Sequence, residues 1–312
     1  MYAISRQFLC LALLGVSCPA SVLTVGPGKD HETIGAAVAA AVAEDTLEVS
    51  PGVFAETVII DIPLTILGAN DGISAGSNPG LRGAETLIDG GIQVNAGGAG
   101  TVLSGLRIEQ GLADAGLQTG ILIDAANVTV RDSVIAGIGI TPAPVPDSHA
   151  VRVTANGSGV VFSDNRIDDN TAGLLLEAVT GAALSGNRIE GNSGAGVHAL
   201  AGSSGVLLRE NQLVANVIAV ANEAAAPVDA ERNFWNSGET APADGGPNGY
   251  SGDVLFSPWF ADAAMQTLVN GVNTDTTVGE GETLTADVLQ IGDGVTLTVE
   301  RGSVSANRLD LQ

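Results

Sequence analysis

A six-residue pattern recurs along the middle of this chain and limits its possible folds more than any other feature. It reads apolar, two small or polar residues, Asn, any residue, then Ile or Leu. Copies are Phe162-Ser163-Asp164-Asn165-Arg166-Ile167, Leu184-Ser185-Gly186-Asn187-Arg188-Ile189 and Leu208-Arg209-Glu210-Asn211-Gln212-Leu213. Looser copies run through Leu103–Ile108, Val130–Ile135 and Ala230–Trp235. The Asn-equivalent positions are 106, 133, 165, 187, 211 and 233, so successive copies are 27, 32, 22, 24 and 22 residues apart. A period of this length, carried by short alternating apolar segments, describes a solenoid whose repeats bury their faces only by stacking. The one long spacing holds Thr141-Pro142-Ala143-Pro144-Val145-Pro146, a stiff insertion that has to leave the coil as a loop.

Leucine-rich repeats share this period, but their L-x-x-L-x-L frame is missing here. Each coil has room for three short strands. Between 184 and 208 these are Arg188–Glu190, Val197–Leu200 and Val206–Leu208. Strand alternation turns Ile189, Val197 and Ala199 inward and Arg188, Glu190 and His198 outward. Equivalent residues of neighbouring coils then lie about 4.8 Å apart. Stacked Asn165, Asn187, Asn211 and Asn233 are expected to form an inward ladder, since an amide both donates and accepts. The expected fold is all-β: a right-handed parallel β-helix over 21–262, with a β-rich segment at 263–312.

Both ends of such a stack need covering, because an open sheet edge invites aggregation. Thr33–Val42 is alanine-rich and predicts a short capping helix. Strands are expected at Thr46–Val49, Thr57–Ile60 and Leu64–Leu67, with Ser50-Pro51-Gly52-Val53-Phe54-Ala55-Glu56 as a turn. An alanine-rich helix, a strand and a P-G-x-F-x-E turn in this order resemble the opening of the pectin-lyase-like superfamily. At the other end, Asn233-Phe234-Trp235-Asn236 and Phe256-Ser257-Pro258-Trp259-Phe260 resemble the closing segment of bacterial right-handed β-helix repeat surface proteins, with Asn236 where glycine is usual. The resemblance spans 24 to about 262. It implies the fold, and leaves activity to the residues of the site.

The net charge of −23, with Lys29 as the sole lysine, argues against nucleic acid, whose phosphates require a basic surface. Residues 1–20 have the layout of a secretory signal peptide. Arg6 supplies the basic end, Phe8–Val16 the apolar stretch, and Ala20 the expected cleavage point. Cys10 and Cys18 both fall in this leader, so the mature chain is read as free of cysteine; Gly15 makes Leu14–Cys18 a poor lipidation signal. No later segment is apolar and long enough to span a bilayer as a helix. The chain is therefore expected outside the cell or at its surface, as a monomer. Gln312 arrives in mid-pattern, which reads as a chain continuing past it.

Enzymes of the resembled superfamily carry motifs that are not matched. The paired aspartates of pectin methylesterases are not found. Arg166-Ile167-Asp168-Asp169 lacks the companions seen in polygalacturonase-like hydrolases, and Asp147-Ser148-His149 is not the D-P-H-D of alginate epimerases. No calcium nonapeptide and no zinc spacing occurs. One exposed face still gathers candidates. The outward position of the second strand is occupied in successive coils by Leu122, Arg152, Leu175 and His198. Arg152 and His198 are expected two coils apart, about 10 Å. His149 begins the strand of Arg152, and Asp168 and Asp169 precede a neighbouring turn. Together they could supply a base, a cation ligand and a carboxylate clamp. The alternation of Arg107, Arg166 and Arg188 with Glu109, Asp168 and Glu190 reads as a solvated charge ladder, with a binding stripe for anionic sugars as the alternative. The expectation is a secreted β-helix protein that acts as scaffold or polysaccharide binder toward carbohydrate or cell-surface partners, with no evident cofactor. The alternative is a divergent polysaccharide lyase or glycoside hydrolase acting on an acidic polymer, with calcium entering only for a lyase.

Overall fold

A computed structural model describes residues 19–109, 112–114, 117–140, 147–236, 238–272, 276–293 and 295–311. Most of the leader, both cysteines and the proline-rich insertion at 141–146 lie outside the described residues.

The chain winds as a right-handed parallel β-helix with three strands per coil. Three sheets of seven, nine and ten strands run along it among the described residues, parallel except for Leu112–Asp114, which pairs antiparallel with Leu117–Ile123. Sheet 1 follows the Asn turn and stacks Gly52–Phe54, Thr86–Asp89, Leu106–Glu109, Val134–Ala136, Arg166–Asp168, Arg188–Glu190 and Gln212–Val214. Sheet 2 includes Leu117–Ile123, His149–Val153, Leu174–Leu176, Ala195–Ala199 and Ile218–Asn222. Sheet 3 runs from Val22–Val25 to Val254–Leu255. Ile108, Ile135, Ile167, Ile189 and Leu213 pair in register and are fully buried. That stack is the spine of one continuous core.

The coils extend beyond the six sequence repeats. Gly52–Phe54, expected as turn, is a strand of sheet 1 paired with Thr86–Ile88. In such short strands the neighbouring coil decides the conformation, so local turn residues such as Pro51 and Gly52 do not.

The Asn ladder forms as expected. Asn165 Nδ2 donates to Asn187 Oδ1 at 2.9 Å, Asn187 to Asn211 at 2.9 Å and Asn211 to Asn233 at 2.9 Å. Each also donates to a buried carbonyl, as Asn187 does to Phe162 at 2.9 Å. The residue before each rung has left-handed φ: Gly105 (67°), Asp132 (53°), Asp164 (57°), Gly186 (65°), Glu210 (56°) and Arg232 (56°). A second ladder, five residues on, joins Asn170, Asn192, Asn216 and Asn248 in the same way. Its spacing is legible in the sequence as Asn-x4-Asn at 165/170, 187/192 and 211/216, a signal the single-ladder reading passed over.

Helix α1, Ile34–Ala40, covers the first coils. Thr33 caps it by accepting from Ala36 N at 3.1 Å, and Ile34 and Ala37 enter the core. Extra chain between the paired strands Thr65–Leu67 and Val102–Ser104 forms a strap, 68–85, that crosses the outer edge of several coils. Gly72 N donates to Asp132 Oδ2 at 3.1 Å and Ala75 N to Asp164 O at 2.9 Å. Ala75 packs on Val134 and Ala136 of sheet 1. Beyond the helix proper, Trp259–Phe260 pairs with Leu268–Val272, which continues in parallel to Thr283–Ile291 and Ser303–Leu311. Val269 and Val288 share the core of the coils.

Candidate functional site

The outer face of sheet 2 is built by register. Leu122 pairs with Arg152, Arg152 with Leu175, and Leu175 with His198, so these four side chains stand in one row along the axis, as expected from alignment. At the end of the same strands runs a parallel row in which Thr154, Glu177, Leu200 and Glu223 each donate their backbone N–H to the coil before. Basic side chains of the first row reach carboxylates of the second, one coil on. Arg152 donates from Nε to Glu177 Oε1 at 3.0 Å and from Nη2 to Oε2 at 3.2 Å. His198 Nε2 lies 3.0 Å from Glu223 Oε1. Both pairs are separated by the same 25 residues, one coil plus the offset between the rows.

A cavity of about 300 Å³ opens here, lined by Thr119, Asp147, His149, Arg152, Leu175 and His198, among others. His149 pairs with Thr119 across the coils and is half-buried. Burial first, then the nearby His198 and Arg152, push its imidazole below the ordinary histidine value. Positive charge on His149 would be desolvated and set near Arg152, which together outweigh Asp147 and Glu177, so the neutral ring is favoured. In that form it can accept a proton.

Sheet 2 thus collects His149, Arg152 and His198, but not the two aspartates placed beside them from sequence. Asp168 points outward from sheet 1 and lines a different cleft. Asp169 occupies the left-handed corner before Asn170, with φ 53°. Aspartate is among the few side chains that tolerate that conformation. A carboxylate at a corner is directed by the turn, and sequence proximity to the strand does not carry it round to the next face. The residues missed by sequence reasoning are Glu177 and Glu223, the partners of Arg152 and His198. Their only signal was a common distance of 25 residues from a basic residue.

No group of three or more His, Cys, Asp or Glu side chains able to hold a metal occurs among the described residues. No helix among them is long and apolar enough to cross a membrane.

Parallel coils, stacked inward aliphatics and paired asparagine ladders define the class as right-handed parallel β-helix. Within it, the model of the family described as "right handed beta helix region" matches residues 65–225, and the chain belongs to that family. No curated protein matches the chain. Similar solved structures include a pectin methylesterase from Aspergillus niger, at 14% identity over 95% of this chain and 86% of that one, with a TM-score of 0.44. A DFA-IIIase from Arthrobacter chlorophenolicus A6 is similar at 13% identity over 83% and 82%, with a TM-score of 0.40. A GH136 lacto-N-biosidase from Eubacterium ramulus is similar at 11% identity over 94% and 68%, with a TM-score of 0.42. At these identities the likeness is one of fold.

Proposed function

We propose that this chain is a secreted or cell-surface β-helix protein that binds polysaccharide along the outer face of sheet 2 without cleaving it. The observation that carries this reading is the repeated pairing of Arg152 with Glu177 and His198 with Glu223. Arg152 and His198 are each already held by a carboxylate of the next coil. Such pairs present fixed donors and acceptors at coil intervals, between the apolar edges of Leu122, Leu175 and Leu200. Hydroxyl-rich polymers with apolar ring faces suit a surface of that kind. The leader-like segment at 1–20 supports export, and the monomeric rod and carbohydrate partner belong to the same proposal. No cofactor enters it.

A lyase or hydrolase acting on an acidic polysaccharide is the second reading, and the neutral His149 beside Arg152 favours it. There His149 would accept a proton and Arg152 would orient an acidic group. Calcium belongs only to this reading.

A panel of neutral and acidic polysaccharides separates the two. Gel retardation reports binding, and released reducing ends or unsaturated products, with and without calcium, report turnover. Retardation without product, weakened in Arg152→Ala and His198→Ala, is expected. Turnover that disappears in His149→Ala or Arg152→Ala would overturn the binding reading.

A further inference from the structure

The outer face of sheet 2 repeats itself every second coil. In its first row Ile59, Leu122 and Leu175 alternate with Gln93, Arg152 and His198, and Ala221 continues the order. The second row starts at Asp61, just past the strand Val58–Ile60, and each later member donates its backbone N–H to the coil before. There Asp61, Asp124, Glu177 and Glu223 alternate with Asn95, Thr154 and Leu200. Every carboxylate therefore shares its coil with an apolar first-row residue, and the intervening coils carry the polar first-row residues. Sheet 1 lacks this order, since Arg166 stacks directly on Arg188 and Asp168 on Glu190.

Each of the four carboxylates is fixed by a side chain of an adjacent coil. Asn95 Nδ2 donates to Asp61 Oδ1 at 2.7 Å, and Thr154 Oγ1 donates to Asp124 Oδ1. Arg152 holds Glu177, and His198 meets Glu223 Oε1. On Asp61, Asp124 and Glu223 the second oxygen has no hydrogen bond to the described residues. Those oxygens are acceptors held in place and left for a ligand. Leu175 lines the cavity between Arg152 and His198, so an apolar step is open there too. Acceptor and apolar step recur about 10 Å apart, the height of two coils.

Four carboxylates share these rows with one permanent cation, Arg152. A polymer carrying carboxylates would meet like charge at every second coil, whereas a hydroxyl donates to a carboxylate in a charge-assisted bond. A ribbon whose successive rings are turned over, such as an extended β-(1→4)-linked pyranose chain, presents the same edge at every second ring. One ring of that ribbon advances it by close to one coil. We infer, on the reading that sheet 2 is the polysaccharide face, that its ligand is an uncharged β-(1→4)-linked chain lying along the helix axis, one ring per coil. Rings over Leu122 and Leu175 rest on apolar side chains and donate hydroxyls to Asp124 and Glu177. The turned-over rings between them meet Gln93, Arg152 and His198.

Calorimetric titration of the full chain with cellohexaose, maltohexaose and hexagalacturonate tests it. Cellohexaose is expected to bind, and the curved maltohexaose and the acidic hexagalacturonate to bind about tenfold more weakly or less, the cost of one lost charge-assisted contact. Asp124→Asn and Leu122→Ala should each weaken cellohexaose by about the same factor, with urea midpoints near the wild-type value. Arg188→Gln, on sheet 1, should leave its affinity unchanged. Cellohexaose binding no tighter than either competitor, or unaltered in both Asp124→Asn and Leu122→Ala, would overturn the uncharged two-fold ligand. If hexagalacturonate or maltohexaose then binds and is lost in Arg152→Ala, sheet 2 stays a polysaccharide face and only the ligand class falls. Absence of binding across these three and the wider polymer panel would overturn both.

Discussion

Arg152 grips both carboxylate oxygens of Glu177 on the following coil, at 3.0 and 3.2 Å, so two adjacent turns of the solenoid are joined across the candidate face by one planar fork. Both side chains remain about one-third exposed, 34% and 29%. Solvent therefore screens the pair. A double-mutant cycle with Arg152→Ala and Glu177→Ala, followed by urea unfolding, should give a coupling of about 1 kcal/mol or less. Ligand binding should fall far more than stability, because the pair orients donors toward ligand. A coupling of several kcal/mol would mark it as a structural clamp.

The asparagine ladders should behave in the opposite way. Asn187 is 1% exposed, and removing its side chain takes the acceptor from Asn165 N, one of the two acceptors of Asn165 Nδ2 and the amide donor to Phe162 O, all in the core. Asn187→Ala is expected to cost about 3 kcal/mol or more, since each orphaned buried group costs about 1–3 kcal/mol. Asn192→Ala in the second ladder should cost a similar amount. Urea midpoints at unchanged slope would show it, and a loss below about 1 kcal/mol in both would refute the structural role.

Acid should weaken the fold through His149. Its folded pKa lies below 6.5, so just under that pH the unfolded chain binds the proton and the folded chain does not. Stability then rises with pH across the window from the folded value up to 6.5 and is lost on acidification through it. Melting temperatures taken from pH 7.5 to 5 should fall in the wild type and fall less in His149→Gln. Equal slopes would remove His149 as the source.

Glu56 ties the P-G-x-F-x-E segment to the cap. Its two oxygens accept from Ile34 N at 2.8 Å and Gly35 N at 2.9 Å in the first turn of α1. Glu56→Ala should destabilise the N-terminal coils by about 1–2 kcal/mol, the range for losing a helix cap. Faster amide exchange confined to the α1 region would be the local signature, and a uniform change along the rod would argue against it.

Much of this molecule could be read before folding. The Asn repeat placed the ladder at 165, 187, 211 and 233, and alternation put Ile189 in and His198 out. Alignment of the copies even set Arg152 and His198 in one row, because a parallel in-register stack converts sequence period directly into spatial neighbourhood. Where the period breaks, that conversion fails. The strap over sheet 1 arises from the long coil between Thr65 and Val102, whose path depends on contacts with Asp132 and Asp164, far along the chain. Asp168 and Asp169 illustrate the same limit at short range, since one left-handed corner sends adjacent carboxylates to different surroundings.

By itself, the amino-acid order determined the coil, its inward spine and which side chains face solvent. Those follow from a period of about 22–24 residues and an alternation of two, both local properties of the chain. Only the tertiary structure decided the pairings: Arg152 with Glu177, His198 with Glu223, and Arg166 with Asp168. Hydrogen bonding needs ångström-scale geometry between coils, and a repeat states which residues are neighbours without stating which of their atoms meet.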